Sequence, residues 1–424
     1  MSAMRSSLRA IFLFLALCTA GCVPGRLPAE PFVCERDGDC ALEDGYRCDR
    51  SAAFGRCVKA GTPADAGRPD ASAPREDGGD GFDAGSCPWW SCVHRQRVQL
   101  RFANTTRGAL EGFPVLVVLA PLRFPYASAL PDGSDLRFVD DDDQTLLPHE
   151  VERWDPAGAS YLWVRVPRIE ASSDDDHIWL YFDPEPGAPL PPPSTAPVFD
   201  ADFVGVWHLD EDGADSSVHA NHGTLGSSGD SDGQVAGAQE FDLDPAGPIR
   251  VPATPSLESI TSALTVSAWA LRNGNGLGWE AFLARPRGGG IADHYHFGLL
   301  QGQFQLWVES QAGAGQVVLG SAETGRWYHV AATWDGLALS LYVDGTLQAV
   351  QAAPAAPMAA GDEPLWIGSD SNDGSVTPAD LFDGRLDEVR LSRVRRSADF
   401  LNAEWATGRD TLVEYGVPEA RPAP

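Results

Sequence analysis

Carboxylates, imidazoles and indoles are the groups with which this chain could do chemistry, because its lysine inventory is the single residue Lys59. Without a lysine beyond that point there is no phosphate-loop Gly-Lys-Ser/Thr, no Schiff-base lysine in a folded domain and no lysine general base. A formal charge of −29 repels phosphates and argues against nucleic acid as a partner. His149-Glu150 lacks the second histidine of a zinc-protease helix. Gly229-Asp230-Ser231-Asp232-Gly233 has the spelling of a nucleophile elbow but not its strand-turn-helix setting. His294 and His296 share a strand face without a nearby third ligand and read as inert. The runs Asp140 to Asp143 and Asp174 to Asp176 read as solvated loops between strands. Arg137 reads as a half-buried cation paired with a carboxylate, near Asp135 and Glu150. Aromatic groups beside glycine-rich loops can stack on sugar faces, and they single out Trp279, Tyr295 and His296 as ligand-binding residues.

The elements that position these groups begin after an export signal. Arg5 and Arg9 precede a short apolar run, Ala10 to Leu17, and Leu17-Cys18-Thr19-Ala20-Gly21-Cys22 resembles the bacterial lipobox. That resemblance implies removal of residues 1–21, acylation of Cys22 and anchoring in a lipid bilayer, with Val23 favouring the outer membrane. Residues 22–31 form a tether, and 32–59 a cysteine-rich segment holding Cys34, Cys40, Cys48 and Cys57. In an exported chain these four read as two disulfides, whose pairing the spacing leaves open. Residues 60–86 are nearly all Ala, Gly, Pro, Asp and Ser, too poor in apolar surface to offset ordering entropy, and read as a disordered linker. Cys87 and Cys92 bracket Pro-Trp-Trp-Ser and are expected to form a local bridge.

From there the pattern is short Val-, Leu-, Phe- and Trp-rich runs separated by Gly, Pro and Asp, which is that of an all-β protein. Residues 87–188 carry, in order, Phe113-Pro114-Val115, Asp132-Gly133-Ser134-Asp135-Leu136-Arg137-Phe138, Leu147-Pro148-His149-Glu150-Val151-Glu152-Arg153-Trp154 and Ile178-Trp179-Leu180-Tyr181-Phe182. This series resembles the bacterial domain of unknown function 2341, which implies a small β-sandwich and no established activity. A proline-rich spacer covers 189–197.

Residues 198–415 then carry Val206-Trp207-His208-Leu209-Asp210-Glu211, Leu264-Thr265-Val266-Ser267-Ala268-Trp269, Leu341-Tyr342-Val343-Asp344-Gly345 and Asp383-Gly384-Arg385-Leu386-Asp387-Glu388-Val389-Arg390, with 416–424 a tail. These resemble the laminin-G-like branch of the concanavalin A-like lectin/glucanase superfamily, which implies a jelly roll. The resemblance also implies one structural Ca2+ held by Asp210, Asp215 and Asp387. Asp387 and Glu388 are adjacent, so regular alternation points them to opposite sides and prevents them from flanking one glycosidic bond. Trp269, Trp307, Trp327, Trp334 and Trp366 are expected between the two sheets. Asp344-Gly345 predicts a two-residue hairpin turn, and Ser397 to Thr407 a short helix. The sequence thus reads as two β-sandwiches on a lipid anchor, non-catalytic, binding glycan or another surface polymer. A glycan-acting hydrolase or a structural protein with protein partners are the rival readings.

Overall fold

The computed structural model describes the backbone of strands at 33–34, 46–49 and 55–59, then residue 87 and residues 89–422 except 275–277, 354 and 374–376. The signal, Cys22, the tether, Cys40 and the linker lie outside the described residues. Two compact units divide at Phe82. In the first, Tyr46–Asp49 pairs antiparallel with Gly55–Lys59 in a register that sets Cys48 opposite Cys57. In the second, Cys87 and Cys92 are bonded. No helix among the described residues is long and apolar enough to cross a membrane.

The second unit is nearly all β and holds two sandwiches. The smaller packs the sheet containing His94–Phe102, His177–Pro184 and Arg137–Asp140 against a three-stranded sheet of Leu110–Leu119, Ser160–Ile169 and His149–Arg153. Alternation puts Val98, Leu100 and Phe102 inside. Leu110–Leu119 breaks that rule, being almost continuously buried. Its second face is covered by the helix Ala398–Gly408, where Phe400 meets Phe113 edge-on at 4.9 Å and Thr407 Oγ1 accepts from Leu116 N at 2.8 Å. Ser397 caps that helix, its hydroxyl accepting from Phe400 N at 3.1 Å. The expected helix is present, but it lies between the sandwiches.

The larger sandwich packs an eight-stranded sheet centred on Asp383–Ser392 and Leu264–Arg272 against a six-stranded sheet containing Trp279–Pro286, Asp293–Leu300 and Gln303–Ser310. The Asp344-Gly345 turn forms as the sequence predicts, with φ of 48° and 70°. The tryptophans depart from expectation. Of the five, Trp334 fills the core between the sheets, whereas Trp269 packs on the far side of its sheet against His329 at 5.2 Å. Trp307 and Trp366 stand on the outer face of theirs, out of phase with the core residues Leu306, Leu365 and Ile367.

One apolar cluster joins the two sandwiches, running from Phe113 and Trp163 through Phe199 and Phe203 to Ala331, Tyr342 and Phe400. The chain end also crosses over. Val413–Tyr415 and Glu419–Ala420 both pair with His94–Phe102, so residues expected to end the second domain and form a free tail complete a sheet of the first. Arg137 differs as well: its guanidinium donates to the carbonyls of Pro191, Ser134 and Leu136, pinning the proline spacer. Asp135 is occupied instead by the backbone N–H groups of Leu130 and Asp183.

Candidate functional site

The six-stranded sheet turns its outer face toward a concavity of about 320 Å³ lined by Trp279, Ile291, Ala292, Asp293, Trp307, Glu309, Asn372 and Asp380. Three strands supply the floor, and two loops the walls. Gln303–Ser310 alternates Phe304, Leu306 and Val308 inward with Gln303, Gln305, Trp307 and Glu309 outward. Trp279 and Trp307 meet edge-on at 6.1 Å, and the ring of His296 lies 5.1 Å from Trp279. One wall is the turn Arg287 to Ala292, where Gly288 and Gly290 have φ of 63° and 121° that only glycine adopts at low cost. That turn holds Ile291 out, 88 % exposed at the lip. The other wall is the hairpin of Asp370–Ser371 and Pro378–Ala379. Gly290 N donates to Asn372 O at 2.8 Å and Ala281 N to Asp380 O at 2.8 Å, so both walls are tied down by backbone bonds.

The chemistry of the concavity is set by acids withdrawn from water. The carboxyl groups of Asp293 and Asp370 lie near enough to perturb each other. Burial, then the charge of Asp370, pushes Asp293 up to about 9, and burial pushes Asp370 up to about 7. Burial raises Asp380 too. Two carboxylates this close cannot both ionise, so the pair keeps a shared proton at neutral pH. His296, 1 % exposed, is held neutral by burial, down to about 3. Asp293 Oδ1, Asp370 Oδ1 and Trp307 Nε1 are buried with no hydrogen-bond partner.

Of the ligand-binding residues expected from sequence, Trp279 lines this concavity. Tyr295 does not: it points into the core, 0 % exposed, because it shares phase with Phe297 and Leu299. His296 lies beneath Trp279, buried, and supports the ring without facing solvent. The sequence reading missed Trp307, although its phase with Gln303, Gln305 and Glu309 marks it as outward-facing.

The aspartates expected to hold calcium are not brought together. Asp210 is paired with Arg153, its Oδ2 accepting from Nε at 3.0 Å. Asp215 accepts from Val206 N, Ser217 N, Ser217 Oγ and Asn221 N, which uses up its oxygens in shaping a turn. Asp387 is 0 % exposed and accepts from Val235 N at 2.8 Å. Alternation also fails at Asp387 and Glu388. The register slips between Ser267 and Trp269, Glu388 takes a φ of 51°, and burial together with the charges of Glu388 and Glu152 holds Asp387 well above the carboxylate range.

Two packed β-sandwiches, one with an aromatic-floored concavity on an outer sheet face, define a lectin-like architecture. Residues 245–400 match the family model of the concanavalin A-like lectin/glucanases superfamily, and residues 132–205 that of the domain of unknown function DUF2341. No curated protein matches the chain. Among solved structures, it is similar to the binding domain of Paraclostridial Mosquitocidal Protein 1 at 14 % identity and a TM-score of 0.41, covering 49 % of this chain and 52 % of that one. It is also similar to domain 4 of AbnA, a GH43 extracellular arabinanase from Geobacillus stearothermophilus in complex with arabinotriose, at 18 % identity and a TM-score of 0.38, covering 49 % of this chain and all of that one. The binding domain of botulinum neurotoxin DC in complex with SialylT is similar at 8 % identity and a TM-score of 0.38, covering 49 % and 52 %. The chain thus spans about half the length of the first of these, and the likenesses carry no statement about its own ligand.

Proposed function

We propose that this protein is an exported surface lipoprotein, held by acylated Cys22, whose Trp279–Trp307 concavity binds a glycan. The observation that carries the reading is the juxtaposition of two indoles and an exposed isoleucine with a proton-sharing carboxyl pair. Indole faces stack on the apolar faces of pyranose or furanose rings, and a carboxyl that keeps its proton both donates to and accepts from hydroxyls. Asn372 and Glu309 add further hydrogen-bonding groups at the rim.

The test is a glycan-array screen of the full chain, with calcium and then with chelator, repeated with Trp279→Ala and Trp307→Ala. Binding to a defined sugar class that each substitution weakens by about tenfold supports the proposal. Binding that neither substitution alters, or silence across the array, refutes it.

A further inference from the structure

A second cluster lies at the junction of the two sandwiches and shares no residue with the Trp279–Trp307 concavity. His208 follows the strand Phe203–Trp207, Glu150 and Glu152 lie in His149–Arg153, and Glu388 sits at the bulge of Asp383–Ser392. The imidazole is clamped flat, its ring stacked on Trp163 at 5.9 Å and 19°. Its Nε2 faces Glu150 Oε1 at 2.9 Å. Its Nδ1 faces Glu388 Oε1 at 2.6 Å and Glu152 Oε2 at 3.7 Å. One atom each from Glu152, His208 and Glu388 lie within 4.8 Å of one another, the one such group of three among the described residues.

Both imidazole nitrogens face carboxylate oxygens, so positive charge must lie on each side. A proton on Nε2, donated to Glu150, accounts for one side. The other side has more acid than a single proton answers: Glu152 has a side chain 2 % exposed, its Oε2 accepts from Trp163 Nε1 at 2.8 Å, and its Oε1 is buried with no hydrogen-bond partner. Around the cluster, Glu150, Glu152, Asp387, Glu388 and Glu404 face the guanidinium of Arg390, that of Arg153 at the groove, where it is paired with Asp210, and the imidazoles of His208 and His329. A groove lined by Glu150, Glu152, Arg153, His208 and Asp210 opens above it and gives an ion an access path.

We propose that His208 Nδ1, Glu152 and Glu388 form a binding site for a divalent ion of the zinc class. One imidazole nitrogen with two carboxylates is a donor set that zinc accepts and that a hard, all-oxygen ion such as calcium does not favour. Glu150 then plays the part that a carboxylate plays behind a ligating histidine: it takes the Nε2 proton, fixes the tautomer and turns the Nδ1 lone pair inward. Arg390 holds the remaining oxygen of Glu388 at 2.5 Å. Because ligands come from both sandwiches, the ion also clasps them together.

The experiment is calorimetric titration of chelator-stripped full chain with Zn2+, and with Co2+ read by its visible absorption. His208→Gln, Glu388→Gln and Glu150→Gln are compared with wild type, and excess Ca2+ serves as competitor. One equivalent should bind, and His208→Gln and Glu388→Gln should abolish it. Glu150→Gln, a substitution at the groove surface that leaves the buried groups in place, should weaken binding by about 10- to 100-fold and shift the cobalt spectrum. Should the buried variants fail to fold, Glu150→Gln decides alone. Absence of a saturable equivalent, equal affinity in wild type and Glu150→Gln, or displacement by Ca2+ overturns the proposal and leaves His208 as a doubly protonated clasp.

Discussion

Replacing Asp293 by Asn should flatten the dependence of stability on pH. In the folded chain Asp293 is pushed up to about 9 and Asp370 up to about 7, against an unfolded value near 3.9. The native state therefore binds more protons than the unfolded state across that interval, and stability falls as pH rises. The contribution is complete below about pH 4 and is lost as pH climbs through about 7 and then about 9. One proton kept only by the folded state corresponds to about 1.4 kcal/mol per pH unit, hence about 2.7 kcal/mol between pH 5 and pH 7. Asparagine mimics the protonated carboxyl and carries no proton to lose. Urea unfolding of wild type and Asp293→Asn at half-unit steps from pH 5 to pH 8 should give curves that converge at the acid end. The wild type should then become progressively the less stable by roughly that amount, with other titrating groups cancelling in the difference. Two parallel curves would mean that Asp293 and Asp370 ionise normally, and the argument for a proton-sharing pair would fail.

Three other outcomes follow from the same geometry. Trp279→Ala and Trp307→Ala should each weaken binding of the cognate sugar by about tenfold, a loss of about 1.4 kcal/mol of stacking, without lowering the melting temperature; an unchanged dissociation constant removes the indoles from the site. Arg390, 3 % exposed, pairs with Glu388 and Glu404 and lies 4.4 Å over the Trp163 ring, so Arg390→Met should cost about 3 to 5 kcal/mol in chemical denaturation by stranding two buried acids. A loss below about 1 kcal/mol contradicts that account. Ending the chain at Gly408 removes Leu412 and Val413, 0 % and 7 % exposed, together with the strand Val413–Tyr415, and should destabilise the smaller sandwich by about 3 kcal/mol or more. Unchanged hydrogen-exchange protection of His94–Phe102 would contradict it.

The β character, the hairpin at Asp344-Gly345 and the helix start at Ser397 were legible because each depends on neighbours in sequence: period-two alternation, a glycine that accepts positive φ, a hydroxyl that caps. Trp279 was legible for a similar reason, standing beside a glycine-rich loop. Tyr295 was misread because one residue of phase decides whether a strand aromatic faces core or solvent, and loop proximity does not report phase. The approach of Asp293 and Asp370 brings together strands of two different sheets that meet only in the folded protein, so no local signal announces it. Adjacent Asp387 and Glu388 were read as diverging under regular alternation, and the register slip opposite Ser267 overrides that pattern. Calcium at Asp210, Asp215 and Asp387 rested on positions and not on partners; Arg153 and four backbone and side-chain donors claim the first two.

The return of the chain end to the smaller sandwich sets a clock on folding. Arg97 and Glu419, which pair across that sheet, are 322 residues apart, so the earliest strands of this unit must wait for the last residues before their edge is sealed. Until then the half-built sandwich presents an open edge, the kind of surface on which chains aggregate or proteases act. Pairing of Val413–Tyr415 and Glu419–Ala420 with His94–Phe102 ends that exposure. A molecule cut short before Val413 thereby leaves open the edge of a sheet whose other strands were made more than two hundred residues earlier.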